Sequence, residues 1–284
     1  MAGRAPARVN LVRMAPSTAL RHEHPIAMAH RGSMLLWPEN TMTAFQEAVD
    51  LGYRYLETDL QISRDGVLVT FHDDTLDRTT DGRGLVSTRT LEELKQLDAA
   101  HGFRIDGHYP YRGRGIRIPT LEELATAYPD RIFSLDLKSD GMEEALIETI
   151  RGLNLWDRVI VGSFSDARLR RFRRLVDRPV SMSAGPAETV RFVTAARLHL
   201  PYRPRCDSFQ VPVKQGITIV SSRTVRVAKS AGVPLIVWTI NDRTEMQNLL
   251  DLGVDGIISD RPDLLLEVIE ERARAGHGRG SRGA

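Results

Sequence analysis

The sequence predicts an α/β protein, a single-domain (β/α)8 barrel. Three observations predict it. Strand-like and helix-like segments alternate along nearly the whole chain; its 284 residues suit the roughly 250 that one such barrel uses; and charged side chains gather where predicted strands end. Regular alternation implies parallel strands with right-handed crossovers. Eight strand–helix units in about 245 residues imply closure into a barrel rather than an open sheet. A doubly wound open sheet is the alternative. No glycine-rich phosphate fingerprint follows the first strand, which counts against its dinucleotide-binding version.

The elements follow in order. Residues 26–30, after Pro25, are an apolar strand. Residues 41–51 read as a helix with Asn40 as N-cap, Phe45, Ala48 and Val49 on one buried face, and Gly52 as its stop. A strand over 55–61 comes next. Ser63-Arg64-Asp65-Gly66 is a turn, too short for a parallel crossover, so the run 67–71 folds back as an antiparallel hairpin and is not a barrel strand. The stretch 73–119 is loop-rich, with one short helix near 91–97 and a Gly-Tyr-Arg-rich run at 107–115. With the hairpin it is expected to lie over the strand ends as a cap. A helix over 120–128 and a strand over 131–138 follow. The later helices are expected at 142–153, 166–176, 187–198, 222–231, 243–252 and 264–274, and the later strands at 159–164, 180–184, 208–211, 235–240 and 256–259. The barrel then spans 25–271, between a disordered basic segment, 1–24, and a disordered tail, 272–284.

Composition narrows the function. Hydrophobic residues at 42% and charged residues at 27% are ordinary for a globular protein, and a net charge of +2 makes no electrostatic case for nucleic acid. The ends are basic: Arg4, Arg8, Arg13 and Arg21 stand against Glu23, and Arg272, Arg274, Arg279 and Arg282 lie among glycines. Solvated termini are the plain reading, and a weak contact with an anionic membrane surface is the other. Cys206 is the one cysteine, so neither an intrachain disulfide nor a thiolate metal cluster can form. The N-terminus lacks a continuous apolar stretch, and no apolar run reaches about 18 residues, so a cytoplasmic location is expected.

Chemistry in such a barrel sits at the C-terminal ends of the strands. His30-Arg31-Gly32 ends the first strand, Glu57-Thr58-Asp59 lies on the second, His72-Asp73-Asp74 follows the hairpin, and Asp136-Leu137-Lys138 ends the third barrel strand. Later ends carry Ser163-Phe164, Gln210, Trp238-Thr239 and Asp260. Glu57 and Asp59, two apart on a strand, point to one face. Two carboxylates held together call for a cation or a shared proton. With Asp136 on the neighbouring barrel strand they make an all-oxygen set suited to Mg²⁺ or Ca²⁺. His30 and His72 suit an acid and a base near neutral pH. Arg31 and Lys138 offer positive charge to phosphate oxygens, or pair with neighbouring acids. No G-x-S-x-G elbow and no H-E-x-x-H helix is present. Metal-assisted phosphodiester cleavage is what the set fits.

These motifs, with Pro38-Glu39-Asn40-Thr41, Ile118-Pro119-Thr120-Leu121-Glu122-Glu123, Trp238-Thr239-Ile240-Asn241 and Asp255-Gly256-Ile257-Ile258-Ser259-Asp260-Arg261-Pro262, resemble the glycerophosphodiester phosphodiesterase domain. The resemblance runs from about residue 26 to residue 269, and the order and spacing of the motifs carry it. It implies a (β/α)8 fold and metal-dependent hydrolysis of glycerophosphodiesters to sn-glycerol 3-phosphate and an alcohol. It implies His30 and His72 as the acid–base pair, Glu57 and Asp59 as metal ligands, and Arg31 as a phosphate contact. The family's third ligand is usually Glu followed two residues on by Lys; here the position holds Asp136, with Lys138 in place. Glu39 binds substrate or braces Arg31, and Trp238 lines the pocket. The apolar residues Leu85, Phe103, Tyr109 and Tyr111 of the expected cap leave room for a lysophospholipid, so a lysophospholipase D on the same scaffold is the alternative enzyme. A non-catalytic phosphodiester-binding barrel is the alternative from another class. The implied partner is a small-molecule phosphodiester; the sequence does not specify an oligomeric state.

Overall fold

The computed structural model describes residues 18–20 and 25–280. It opens with β1 (Ile26–His30), α1 (Met42–Asp50), β2 (Tyr55–Ile62), β3 (Leu68–Thr70), α2 (Leu91–Gln96) and α3 (Leu121–Ala127). Next come β4 (Ile132–Leu137), α4 (Glu143–Gly152), β5 (Val159–Gly162), α5 (Asp166–Leu175), β6 (Ser181–Met182) and α6 (Pro186–Leu198). The chain continues with β7 (Phe209–Pro212), β8 (Lys214–Gln215), β9 (Ile217–Thr218), α7 (Ser222–Ala231), β10 (Leu235–Trp238), α8 (Arg243–Leu252), β11 (Gly256–Ser259) and α9 (Pro262–Gly280).

Eight parallel strands form a (β/α)8 barrel in the order β6-β5-β4-β2-β1-β11-β10-β7. A parallel bridge, Ser183 to Ser208, joins the two ends of this order and closes the ring. β3 stands outside it, paired antiparallel with β2 through Leu60–Thr70, Gln61–Val69 and Ile62–Leu68, as the four-residue turn requires.

The period of two along each strand sorts the side chains. Leu56, Phe133, Leu135, Val159 and Val161 face outward and pack under the first helices. Phe209, Leu235, Val237 and Ile257 do the same under α6–α9. The inward positions begin apolar: Ile26, Met28, Tyr55, Ile132, Ile160, Ile236 and Ile258 form one buried cluster at the strands' N-terminal ends. Two residues further along, the same rows turn polar. Met28 pairs with Tyr55 and His30 with Glu57; Tyr55 pairs with Ile132, Glu57 with Ser134 and Asp59 with Asp136. The barrel is thus filled with hydrocarbon at its floor and with ionisable groups at its mouth.

Several expectations need correction. The N-cap of α1 is Thr41, whose hydroxyl accepts from Ala44 N, and not Asn40. The expected disordered segment 1–24 includes an ordered 3-10 turn at Thr18–Leu20: Ala19 and Leu20 are buried against the barrel floor, and the Tyr55 hydroxyl donates to Ala19 O at 3.0 Å. The last helix runs past 274 to Gly280, and Arg272 and Arg274 are paired with Asp251 and Glu270, so the expected tail begins as helix. The β8–β9 hairpin has no counterpart among the elements expected from the sequence. Expectations for 1–17, 21–24 and 281–284 lie outside the described residues. Among the described residues no helix is long and apolar enough to cross a membrane.

Candidate active site

The rim of the barrel at the C-terminal ends of the strands carries the candidate chemistry. His30 closes β1, and its Nδ1 lies 2.6 Å from Oδ1 of Asp260, the residue after β11. Asn241, on the loop after β10, holds that aspartate: its Nδ2 donates to Asp260 Oδ2 at 2.9 Å, and its Oδ1 accepts from Asp260 N at 2.8 Å.

His72 repeats the pattern. Phe71 N donates to Asp59 O at 3.0 Å, which sets the end of the hairpin beside β2, and His72 Nδ1 lies 2.6 Å from Asp73 Oδ1. Gln61, at the end of β2, donates to Asp73 O and Asp74 Oδ1 and holds this loop. A carboxylate on Nδ1 places the proton there and leaves Nε2 of each imidazole for chemistry.

Between the histidines lies a network of charge. Lys138 Nζ stands 2.9 Å from Asp59 Oδ1 and 2.7 Å from Asp136 Oδ2. Arg31 Nε is 2.9 Å from Asp59 Oδ2, and Arg31 Nη1 donates to Glu39 Oε1 at 2.8 Å. Asn40 is buried: it donates to Asp59 Oδ2 at 3.1 Å and accepts from the Thr58 hydroxyl at 2.7 Å, so it positions a carboxylate where the sequence suggested a helix cap. Glu39 does not line the cleft. Arg31 and Arg78 occupy its oxygens, the bracing contact that the sequence offered beside substrate binding.

Burial and charge set the ionisation. Burial, reinforced by Asp59, pushes the Glu57 carboxyl up to about 7. Burial also raises Asp136, and the nearby Lys138 ammonium does not cancel it. Asp59 is buried too, but Arg31 and Lys138 outweigh that and hold it below its ordinary range. For His30 burial acts downward, and the charges of Glu57 and Asp260 overcome it, leaving the imidazole raised.

Among the described residues, no three His, Cys, Asp or Glu side chains stand arranged around a common point as cation ligands. The donors nevertheless fit a hard cation chemically. Asp136 Oδ1 is buried without a hydrogen-bond partner, and Glu57 is held up by burial and by a neighbouring carboxylate, which a positive ion would relieve.

The site opens into a cleft of about 500 Å³. His30, Arg31, Glu57, Asp59, His72, Asp136, Lys138 and Trp238 all line it. Leu85, Phe103, Tyr109 and Tyr111 of the stretch 73–119 are absent from the lining. That stretch packs its own apolar residues, Leu76, Val86, Leu94, Ala99 and Ile118, under β3, and its part near the chemistry is Asp73 and Arg78. The opposite wall comes from α6 and the β8–β9 hairpin. Sequence reasoning named Asp260 as a strand-end acid without a partner. The missing step was closure, which sets the last strand beside the first and Asp260 against His30.

The model of the glycerophosphoryl diester phosphodiesterase family matches residues 30–264. The probable glycerophosphodiester phosphodiesterase 2 of Mycobacterium tuberculosis is 38% identical over 260 residues, covering 89% of this chain and 94% of its own. A glycerophosphodiester phosphodiesterase of Caldanaerobacter subterraneus is 33% identical over 253 residues, covering 87% and 98%. The solved structure of an Oleispira antarctica phosphodiesterase in complex with the product sn-glycerol-3-phosphate superposes with a TM-score of 0.71 at 29% identity, covering 87% of this chain and 97% of that one.

Proposed function

This chain belongs to the glycerophosphoryl diester phosphodiesterase family, and from that premise we propose that its cleft hydrolyses glycerophosphodiesters by acid–base catalysis between His30 and His72, with a divalent cation, Mg²⁺ or Ca²⁺, held by Glu57, Asp59 and Asp136. The observation that carries the reading is the matched pair of imidazoles. Each has Nδ1 tied to a carboxylate at 2.6 Å, and both line one cleft with Arg31 and Lys138.

Arg31 and Lys138 bind the non-bridging oxygens of the phosphodiester. One imidazole takes a proton at Nε2 from the nucleophile, which is water or the substrate's own glycerol 2-hydroxyl. The new O–P bond forms as the bond to the leaving alcohol breaks, and the other imidazole gives its proton to the departing alkoxide. Asp260 and Asp73 hold the two rings through Nδ1. A bound divalent cation supplies neutralising charge to the phosphate. With water as the final acceptor, the products are sn-glycerol 3-phosphate and the alcohol. Trp238 forms part of the substrate wall.

The test is release of sn-glycerol 3-phosphate from a panel of glycerophosphodiesters, in chelator and then with Mg²⁺ or Ca²⁺ restored. Release that returns with one cation is expected. His30→Ala and His72→Ala should each lower turnover by on the order of 10²-fold or more. Near-normal turnover in both variants sinks the acid–base assignment, and full activity in chelator sinks the cation.

A further inference from the structure

The whole-chain charge of +2 conceals a separation of charge around the barrel. Residues 166–232, which carry α5, α6 and α7, hold 14 Arg and Lys against four Asp and Glu, a net +10. Of the 39 basic and 37 acidic residues, the rest of the chain then holds 25 and 33, a net −8. The strands inside these three helices are neighbours in the ring: β5 pairs with β6, and the Ser183–Ser208 bridge joins β6 to β7. The helices therefore stand side by side. Arg173 on α5 donates to Arg205 O at 3.0 Å in the loop after α6, and α6 packs on α7.

Three of the 14 cations are ion-paired, Arg168 with Asp140, Arg171 with Glu143 and Arg191 with Glu188. Arg170, Arg174, Arg203, Arg223 and Arg226 are exposed and have no acidic partner among the described residues. Unpaired like charges crowded on one flank repel, and an anionic surface laid over them relieves the repulsion. The same flank carries exposed leucines between its arginines. Leu198 and Leu200, 63% and 52% exposed, lie between Arg197 and Arg203, and the exposed Leu175 follows Arg174. Anionic headgroups above acyl chains match both groups, whereas the phosphates of a nucleic acid would match only the arginines. The adjoining flank has the opposite sign. Residues 242–271, with α8 and the first half of α9, hold nine acids against Arg243 and Arg261, so an anionic surface would repel it and one orientation is favoured.

We propose that the flank formed by α5, α6 and α7 docks the barrel on an anionic lipid surface, its arginines on the headgroups and Leu198 and Leu200 in the interface. The proposal does not depend on the reading of the cleft, since none of these residues lines it.

The test is sedimentation of the full chain with vesicles of phosphatidylcholine, alone or mixed with about one-third phosphatidylglycerol. Binding to the mixed vesicles, weakened by salt, is expected. Each arginine neutralised on the flank should weaken it about fivefold, so Arg170→Gln, Arg174→Gln, Arg203→Gln and Arg226→Gln together should weaken it by on the order of 10²-fold or more. The melting temperature of this variant checks its fold, and Arg174→Gln alone, with its fivefold loss, serves if the combined variant is unstable. Leu198→Ser with Leu200→Ser should remove the binding that persists in high salt. Absence of binding, or equal binding to neutral vesicles, overturns the proposal. So does a combined variant, or Arg174→Gln alone in its place, that binds like the parent, because the contact then lies elsewhere in the chain. Binding of double-stranded DNA without binding of vesicles, lost in the combined variant, makes the flank a nucleic-acid surface and overturns the lipid assignment.

Discussion

At the scale of single residues, the candidate site depends on backbone conformations that few side chains tolerate. Arg31 and Asn40 both have positive φ, 54° in each case, and Asn40 N donates to Arg31 O at 2.9 Å to close the loop between them. Gly32 has φ +80°, and a Cβ there would lie 2.6 Å from Ala44 Cβ and 2.7 Å from its carbonyl carbon. The glycine therefore lets α1 approach the end of β1, which is what sets Arg31 against Asp59. Gly32→Ala should destabilise the fold by on the order of 2 kcal/mol, from strain and from the contact together. Urea unfolding checks it, and an unchanged midpoint would mean that the loop shifts at no cost. Asp260 gives a second test. Asp260→Asn keeps the shape and removes the charge that holds His30, so turnover should fall by about 10–100-fold with KM changed little. An equal loss in Asp260→Asn and in a variant of a distant surface acid would refute that role.

At the scale of elements, the loops after β1 and β3 are tied by one side chain from the stretch between the hairpin and α3. Arg78 donates to Glu39 at 2.6 and 2.9 Å and to Asp73 at 2.6 and 3.1 Å, so the brace of Arg31 and the partner of His72 share a cation. Burial acts to raise both carboxyls. Arg78 outweighs it, together with Arg31 at Glu39 and His72 at Asp73, so Glu39 lies below its ordinary 4.5 and Asp73 is lowered to about 2 from 3.8. A carboxyl lowered in the folded state stabilises the fold above its unfolded value and loses that contribution as pH falls through its folded value. The gap in melting temperature between the parent and Arg78→Met should therefore be full above about pH 4.5 and shrink toward pH 2. Arg78 is half exposed, so solvent screens part of the effect. A gap independent of pH would show that Arg78 acts by packing alone. The stretch that carries Arg78 was legible as an insertion but not as a brace, because nothing local in the sequence says which carboxylates a loop arginine will meet.

At the scale of the whole molecule, alternation of strands and helices was enough to read the barrel, since each unit declares its own period and stop signals. The spacing of two made Glu57 with Asp59, and Asp136 with Lys138, legible as pairs on one face. What stayed hidden depends on closure and on tertiary packing: Asp260 beside His30, Asn40 under Asp59, and the apolar wall from α6 and β9. Closure also divides the molecule by depth. The floor is hydrocarbon, sealed by Ala19 and Leu20, while the mouth holds buried like charges that cost stability. Stability and activity should therefore separate along the barrel axis. Leu20→Ala removes buried methyl groups at the floor and should cost about 2 kcal/mol, the low end for such a truncation because the residue sits in a short terminal turn. Well below its lowered melting temperature, the variant should keep the parent's kcat. A proportional fall in kcat at those temperatures would show that the floor and the mouth are mechanically coupled, and that the layers of the barrel interior transmit strain instead of isolating the site from it.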